Sequence, residues 1–481
     1  MSRFFGLSGA LILAVFALLP LFTLSFLSLS SSSLRPAFLS LSPPSTDATD
    51  ETTTIIICPH DRILVLAPHP DDETLACAGI IQKAVALNLP LKVVFLTYGD
   101  DNEWSFLVYR KFPVLGPQAI KKMGLLREKE ARLATAELGV RPDQIVFLGY
   151  PDHSLESIWN EHWGNSPPAV GSLSRARQVP YPDAFRPGAP YKGEEIVEDL
   201  RSILQEFKPT KIFLSHPADN HPDHRSLYLF TRVALWDIED EITQSWPQSP
   251  QLFPYLVHFS GWPKPKGLHQ SLRLEPPAAM SRSIHWVSEP LEAKEIATKL
   301  EALKKHKSQH ESAASFLNAF IRQNELFGDF PELEVSEISQ SAGASSVWLE
   351  ADKLVISFYA PYVPPAEINI GVDTNEVRTE DEVHFSFRLF GYRKDVPFAK
   401  MPKLWIRVSE RRAKVYDRGM KLNQASIKVR RNKSNLDVAV PLDVLASPQK
   451  VFLGTKTPLS TREASCFCWR IISLNAKIIK R

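Results

Sequence analysis

Residues 63–73 read Ile-Leu-Val-Leu-Ala-Pro-His-Pro-Asp-Asp-Glu. Ile63 to Ala67 is a short aliphatic run of the kind that forms a strand buried on both faces. Pro68 and Pro70, on either side of His69, stop that strand. Asp71 and Asp72 then fall at the N-cap and first turn of a helix that Glu73 opens and that runs over Thr74–Leu87. In an open α/β sheet, ligands bind at the C-terminal end of such a strand. His69 and Asp72 place one nitrogen and one oxygen ligand there, three residues apart, with Asp71 between them. Taken singly, each has a plain structural role: the aspartates as helix caps, His69 as a loop histidine.

A second cluster changes that balance. His221-Pro222-Asp223-His224 follows another apolar run, Lys211–Ser215, and precedes a helical stretch, Arg225–Leu235. Two strand ends that carry His and Asp and meet at one sheet edge supply a two-histidine, one-carboxylate metal site. Pro68–Glu73 together with His221–His224 resembles the LmbE/PIG-L family of metal-dependent N-deacetylases, and the resemblance extends over residues 60–325.

That resemblance implies an α/β fold, a Rossmann-like parallel sheet with flanking helices, and zinc-dependent removal of an N-acetyl group from an N-acetylglucosamine-type sugar, glycan or glycolipid. By matching motif positions it makes His69, Asp72 and His224 the metal ligands and Asp71 the general base. A protonated His221 would stabilise the oxyanion, with Asp223 orienting it and favouring its charge. Iron(II) also suits such a ligand set. Arg127 and Glu130 match the family's Arg-x-x-Glu, which sends Arg127 to the sugar, and Asp152 matches a position near the substrate. Asp100 and Glu103 are weaker site candidates at the end of strand Leu91–Thr97. A competing reading is a catalytically silent glycan-binding protein on the same scaffold; the completeness of both motifs speaks against it. A phosphoester hydrolase would call for a second metal cluster or a phosphate-cradling Gly loop, and the sequence has neither.

The flanks are read from composition. No charge falls between Arg3 and Arg35, and the apolar span Leu7–Leu27 is long enough for a membrane helix of about 20 residues. Residues 1–27 are therefore a signal peptide or transmembrane anchor, and the Ser/Thr/Pro-rich 28–58 a tether. The positive-inside bias exports the catalytic part, membrane-anchored or secreted, to an extracytoplasmic or lumenal side. The deacetylase domain occupies 59–330. Fifty-six basic against 54 acidic residues give a formal charge of +2, which argues for no nucleic-acid partner. Four cysteines do not make a disulfide framework.

Between them, residues 153–192 form a long loop rich in Pro, Gly, Ser and Trp. Trp159, Trp163 and Tyr181 there are candidates for stacking on sugar rings, or for packing on the parent domain. A long helix is expected from Leu291 to Asn324; its lysines place His306 and His310 on a solvated face. From Ser346 the hydrophobic period changes to two, as in Val383, Phe385, Phe387 and Leu389. Residues 345–475 thus read as an all-β, sandwich-like accessory domain, either glycan-binding or structural.

Overall fold

Ile63–Ala67 (β1) is the middle strand of a five-stranded parallel sheet, and all five of its residues are buried. This computed structural model describes residues 54–101, 108, 116–278, 280, 281, 284–334, 346–350, 353–359, 384–409, 412–423, 426–432, 435–456 and 467–474. After β1 come Asp72–Ala86 (α1), Leu91–Thr97 (β2), Pro117–Glu137 (α2) and Ile145–Tyr150 (β3). Leu155–Glu161 (α3), Gly193–Phe207 (α4), Lys211–Ser215 (β4), Pro222–Asp237 (α5), Glu239–Ser245 (α6) and Gln251–Tyr255 (β5) complete the sheet region. The strand order is β3-β2-β1-β4-β5, every pair parallel. The chain winds outward from β1 to β3, then crosses back to β4. The direction of winding reverses between β1 and β4, and a sheet of this kind opens its ligand crevice at that reversal. Both sequence clusters sit at those two strand ends.

The helices follow from sequence period. In α4 the buried residues Ile196, Val197, Leu200, Ile203, Leu204 and Phe207 recur at helical spacing, and the helix stops at Lys208 in the left-handed region, just before Pro209. The helix expected over Leu291–Asn324 is instead two, Ala293–Lys305 (α7) and Lys307–Leu317 (α8). His306 breaks it: the residue leaves helical geometry (φ −75°, ψ 57°) and its ring turns inward to Glu73, Nε2 lying 3.0 Å from Oε1. His306 is buried rather than solvated, while His310 contacts Asn318. Val287–Pro290 (β6) and Asn324–Phe327 (β7) make a small antiparallel pair.

The C-terminal part holds two antiparallel sheets. One is built from Ser346–Glu350 (β9), Lys353–Tyr359 (β10), Lys428–Asn432 (β15) and Asn435–Pro441 (β16). The other has Leu333–Glu334 (β8), His384–Tyr392 (β11), Lys403–Ser409 (β12), Arg412–Asp417 (β13), Met420–Leu422 (β14), Lys450–Lys456 (β17) and Phe467–Ser473 (β18), with β8 joining parallel to β18. Leu354, Ile356, Val438 and Val440 of the first sheet share one core with Phe387, Leu389, Leu404, Ile406 and Leu453 of the second. The second sheet thus takes in β8, ahead of position 345.

The opposite face of the seven-stranded sheet packs on the α/β region, and Thr52–Arg481 forms one unit. Trp159 of α3 is the centre of that seam. Its ring lies 5.2–6.1 Å from those of Phe230, Phe390, Phe398, Phe452 and Trp469, edge-on to Phe230, Phe452 and Trp469. Trp163 joins the same cluster. Tyr181 stacks on Tyr98 at 3.7 Å and donates to Asp100 Oδ2 at 2.5 Å. All three aromatics of the 153–192 loop are therefore buried by packing and are not presented to a sugar.

His216, at the end of β4, belongs to the core too. Its Nδ1 accepts from Ala218 N–H at 3.0 Å, and its ring lies 5.0 Å from Phe330. Burial, opposed by Asp219 and reinforced by Arg470, pushes its pKa down to about 3. The unfolded chain takes up this proton below about 6.5, so the group subtracts stability as the pH falls from there toward 3. His216→Gln is expected to narrow the difference in melting temperature between pH 7 and pH 5. An unchanged difference would mean that His216 does not contribute to acid destabilisation.

Residues 1–27, read as signal or anchor, and the tether as far as 53 lie outside the described residues, as do Glu103 and Cys466. Among the described residues no helix is long and apolar enough to cross a membrane.

Candidate metal centre

The loop after β1 is pinned to β2: Pro68 O accepts from Thr97 N–H at 3.1 Å and from Thr97 Oγ1 at 3.0 Å. Neither aspartate then caps α1 as a plain reading would have it. Asp71 occupies the N-cap position but makes no side-chain capping bond. Its backbone sits at φ 137°, ψ −28°, a conformation comfortable only for glycine. Asp72 turns back, and its Oδ2 accepts from the backbone N–H of His69 at 3.0 Å. Glu73 is spent on structure, accepting from Asp71 N–H at 2.9 Å and meeting His306 on its other oxygen.

The loop after β4 is organised by Asp219. Its Oδ1 accepts from His221 N–H at 2.8 Å, and its Oδ2 accepts from Val257 and His258 N–H at 2.9 Å each. Oδ2 also lies 3.3 Å from His224 Nδ1. Ser215 Oγ donates to the carbonyl of His224 at 2.7 Å, which seats the first turn of α5 against β4.

The two loops meet at Asp72. Its Oδ2 lies 3.4 Å from His69 Nδ1 and 3.2 Å from His224 Nε2. Ligands bound tetrahedrally at about 2.0–2.1 Å from a zinc ion stand about 3.3 Å apart, so the observed spacing fits one. His224 Nε2 is buried and has no hydrogen-bond partner among the described residues, although Asp72 is near. An unpaired imidazole nitrogen and a carboxylate oxygen at ligand spacing suit a divalent cation. Burial opposes charge on both groups, but Asp219 and Asp72 hold His224 protonated up to about 9, and His224 holds Asp72 well below the carboxylate range. The proton on His224 thus stands in for the positive charge a cation would supply between these carboxylates.

Asp71 lies beside this group, its Oδ1 3.5 Å from Arg127 Nη2. Burial raises its pKa to about 6, against the pull of Arg127 and with Asp72 adding to the rise. Arg127 itself is buried and donates to Gly99 O at 2.8 Å and Pro70 O at 2.7 Å. These bonds turn it to holding Asp71 and the strand-end loops, whereas the resemblance sends it to the sugar. Glu130 accepts from Ser308 N–H and Oγ at 2.9 and 2.6 Å, so the Arg-x-x-Glu pair is not a surface ion pair.

Asp223 also departs from expectation. Its Oδ2 accepts from His153 N–H at 2.6 Å and lies 3.2 Å from His69 Nε2, while its Oδ1 accepts from Leu155 N–H at 3.1 Å. It orients His69 and the start of α3, not His221. His221 instead caps α5, its Nδ1 accepting from the backbone N–H of Asp223 at 3.3 Å. Burial, then His69 and His224, lower the His221 pKa well below its ordinary value, so the ring is neutral with its proton on Nε2. Asp152 Oδ1 is 3.0 Å from His69 Nε2, and its Oδ2 accepts from Asp101 N–H at 3.0 Å. Asp152 therefore lies against His69.

Three members of the cluster lie outside the expected site residues. Asp219 belongs to the longer pattern His216-Pro-x-Asp219-x-His221-Pro-Asp-His224 that the resemblance also covers, and in sequence it reads equally as a loop contact. His258 follows β5 with no motif around it, yet its ring is 4.9 Å from His224, and it forms with Asp72 and His224 a possible ligand group. His153, 4.6 Å from His221, sits in the left-handed region at φ 56°. A histidine directly after the Pro151-Asp152 turn was the only sequence signal for the last.

A family model described as PIG-L, GlcNAc-PI de-N-acetylase, matches residues 64–235. A probable N-acetyl-alpha-D-glucosaminyl L-malate deacetylase 2 of Bacillus anthracis is 30% identical over 173 residues, 34% of this chain and 71% of that protein. A 1D-myo-inositol 2-acetamido-2-deoxy-alpha-D-glucopyranoside deacetylase 1 of Saccharopolyspora erythraea is 29% identical over 184 residues, 37% of this chain and 55% of that one. The chain spans about half the length of several such curated relatives. Among solved structures, the N,N'-diacetylchitobiose deacetylase from Pyrococcus horikoshii covers 53% of this chain and 75% of its own at 19% identity, with a TM-score of 0.32, too low to carry an argument.

Proposed function

The chain belongs to the PIG-L (LmbE-like) family, and on that premise we propose that it is a metal-dependent N-deacetylase. It removes the acetyl group from an N-acetylglucosamine-type sugar or glycoconjugate, giving acetate and the free amine. The observation that supports this most is Asp72 Oδ2 standing between His69 Nδ1 and His224 Nε2 at ligand spacing, with Asp71 held beside it.

His69, Asp72 and His224 would hold zinc, or iron(II), whose Lewis acidity activates water and polarises the amide carbonyl. The chain's own groups do the rest. Asp71, poised near neutral pH, takes a proton from the attacking water and returns it to the leaving nitrogen. Arg127 fixes Asp71 in place. Neutral His221 can donate from Nε2 to the oxygen that gains charge as the amide carbon becomes tetrahedral. Asp223, Asp152 and Asp219 hold the ligand histidines in position.

Acetate release tests this reading. Zinc-reconstituted chain incubated with N-acetylglucosamine-bearing sugars and glycolipids should liberate acetate and a new amine, and chelation should stop it. Sugar binding without acetate from any of them would make the chain a silent glycan-binding protein. Export of the catalytic part belongs to the same proposal. Protease added to sealed vesicles should spare the chain if the site is lumenal; digestion there would place it on the cytosolic face.

A further inference from the structure

The face of the seven-stranded sheet that meets the α/β region is covered only in part. Along β11 the alternate residues Ser386, Arg388, Phe390 and Tyr392 share that face. Phe390 and Tyr392 are buried in the aromatic seam, whereas Ser386 and Arg388 are half-buried. The strand register carries the uncovered area onto β12 and β13. It sets Arg388 opposite Trp405, Trp405 opposite Tyr416, and Arg407 opposite Lys414.

Trp405 is fixed in the middle of this area. Its Nε1 donates to Ser386 Oγ at 2.5 Å, and its ring lies 5.3 Å from that of Tyr416. The guanidinium carbons of Arg388 and Arg407 lie 5.6 and 5.3 Å from its centre. None of Arg388, Arg407 and Lys414 has a carboxylate at ion-pair distance among the described residues. Like charges directly opposite in a sheet, as Arg407 and Lys414 are, cost stability. Three cations with no contact ion pair among the described residues, set around two aromatic rings, are what an anion with apolar faces would complement.

Arg388 is the member of the patch on the side of α3 and α5. Glu156, Glu161 and Arg225 are close enough to Arg388 for their charges to act on it. Arg225 directly follows the ligand His224, pairs with Glu156 at 2.9 Å, and holds the carbonyls of Asp219 and Asn220.

We propose that Arg388, Trp405, Arg407, Lys414 and Tyr416 form a docking surface for an acidic oligosaccharide that contains N-acetylglucosamine and carboxylated sugars, and that it holds this chain while an N-acetyl group enters the metal centre. The proposal rests on the deacetylase reading above. Carboxylates match the arginine forks, and the aromatic rings offer flat area to sugar rings. A membrane surface is less well matched. Trp405 is tied into the sheet by Ser386 and flanked by arginines, whereas insertion into lipid asks for projecting apolar side chains.

The test uses the metal-loaded full chain and three probes: a hexasaccharide of alternating N-acetylglucosamine and glucuronic acid, the neutral N-acetylglucosamine hexasaccharide, and anionic phospholipid vesicles. The acidic sugar should bind about tenfold more tightly than the neutral one at low salt, with the preference fading as salt is raised. Arg388→Gln/Arg407→Gln should abolish the preference and leave acetate release from a small neutral N-acetylglucosamine substrate unchanged. If that pair perturbs folding, Arg407→Gln/Lys414→Gln, both exposed, should also reduce the preference. Equal affinity for the two sugars in the wild type, or a preference that survives both double variants, would overturn the proposal. So would vesicle binding that the variants lose while neither sugar is distinguished. Absence of acetate release with the preference intact would count against the deacetylase reading alone and leave the docking surface supported.

Discussion

Asp71→Asn is expected to lower turnover about 10²–10⁴-fold, the usual range for losing a general base, with metal content unchanged. The substitution keeps the side-chain shape and its place beside Arg127 but cannot take a proton from water. The backbone makes the argument specific. Holding a non-glycine residue at φ 137° costs on the order of 1–3 kcal/mol. The side chain is also buried near Asp72 and Glu73. Asp71→Gly relieves both and should raise the melting temperature while abolishing activity. Near-normal turnover of the asparagine variant at full metal loading would remove Asp71 from the chemistry.

Trp159→Ala is expected to destabilise the chain by about 3–5 kcal/mol, the range for removing a large aromatic side chain from a packed interior. The ring joins the α/β region to the C-terminal sheets through Phe390, Phe398, Phe452 and Trp469. It also seats α3, whose first residue, with His153 of the loop before it, gives N–H bonds to Asp223 beside His69. Turnover should therefore fall together with stability. Trp159→Phe should recover most of both, because the indole N–H has no partner among the described residues to lose. A melting temperature for Trp159→Ala equal to the wild type would show that the seam does not depend on this ring.

The sheet was legible where a strand is a continuous aliphatic run. Ile63–Ala67 and Lys211–Ser215 read as β1 and β4 with the observed bounds, and the His/Asp clusters that follow them meet at the crevice. Period two located β11 for the same reason: one face is core and the other is not. The helix over Leu291–Asn324 misled because its pattern stays helical through His306. What breaks it is Glu73, 233 residues away in sequence, which draws the ring inward. Long-range partners also decide the side chains around the metal centre. Nothing near Asp223 says that its carboxylate goes to His69 and to the N–H groups of His153 and Leu155, and nothing near His258 marks it as a neighbour of His224. The loop aromatics showed the same limit. Trp159 and Trp163 suit a sugar face or a core equally in sequence, and only the C-terminal sheets that cover them decide for the core.

The measurement that tests the centre most directly is metal content of His224→Ala, read by elemental analysis on folded, zinc-equilibrated protein beside the wild type. The wild type should hold about one zinc per chain, and the variant should lose most of it with its circular dichroism unchanged. Wild-type zinc content in a folded His224→Ala chain would place the metal elsewhere and contradict the account.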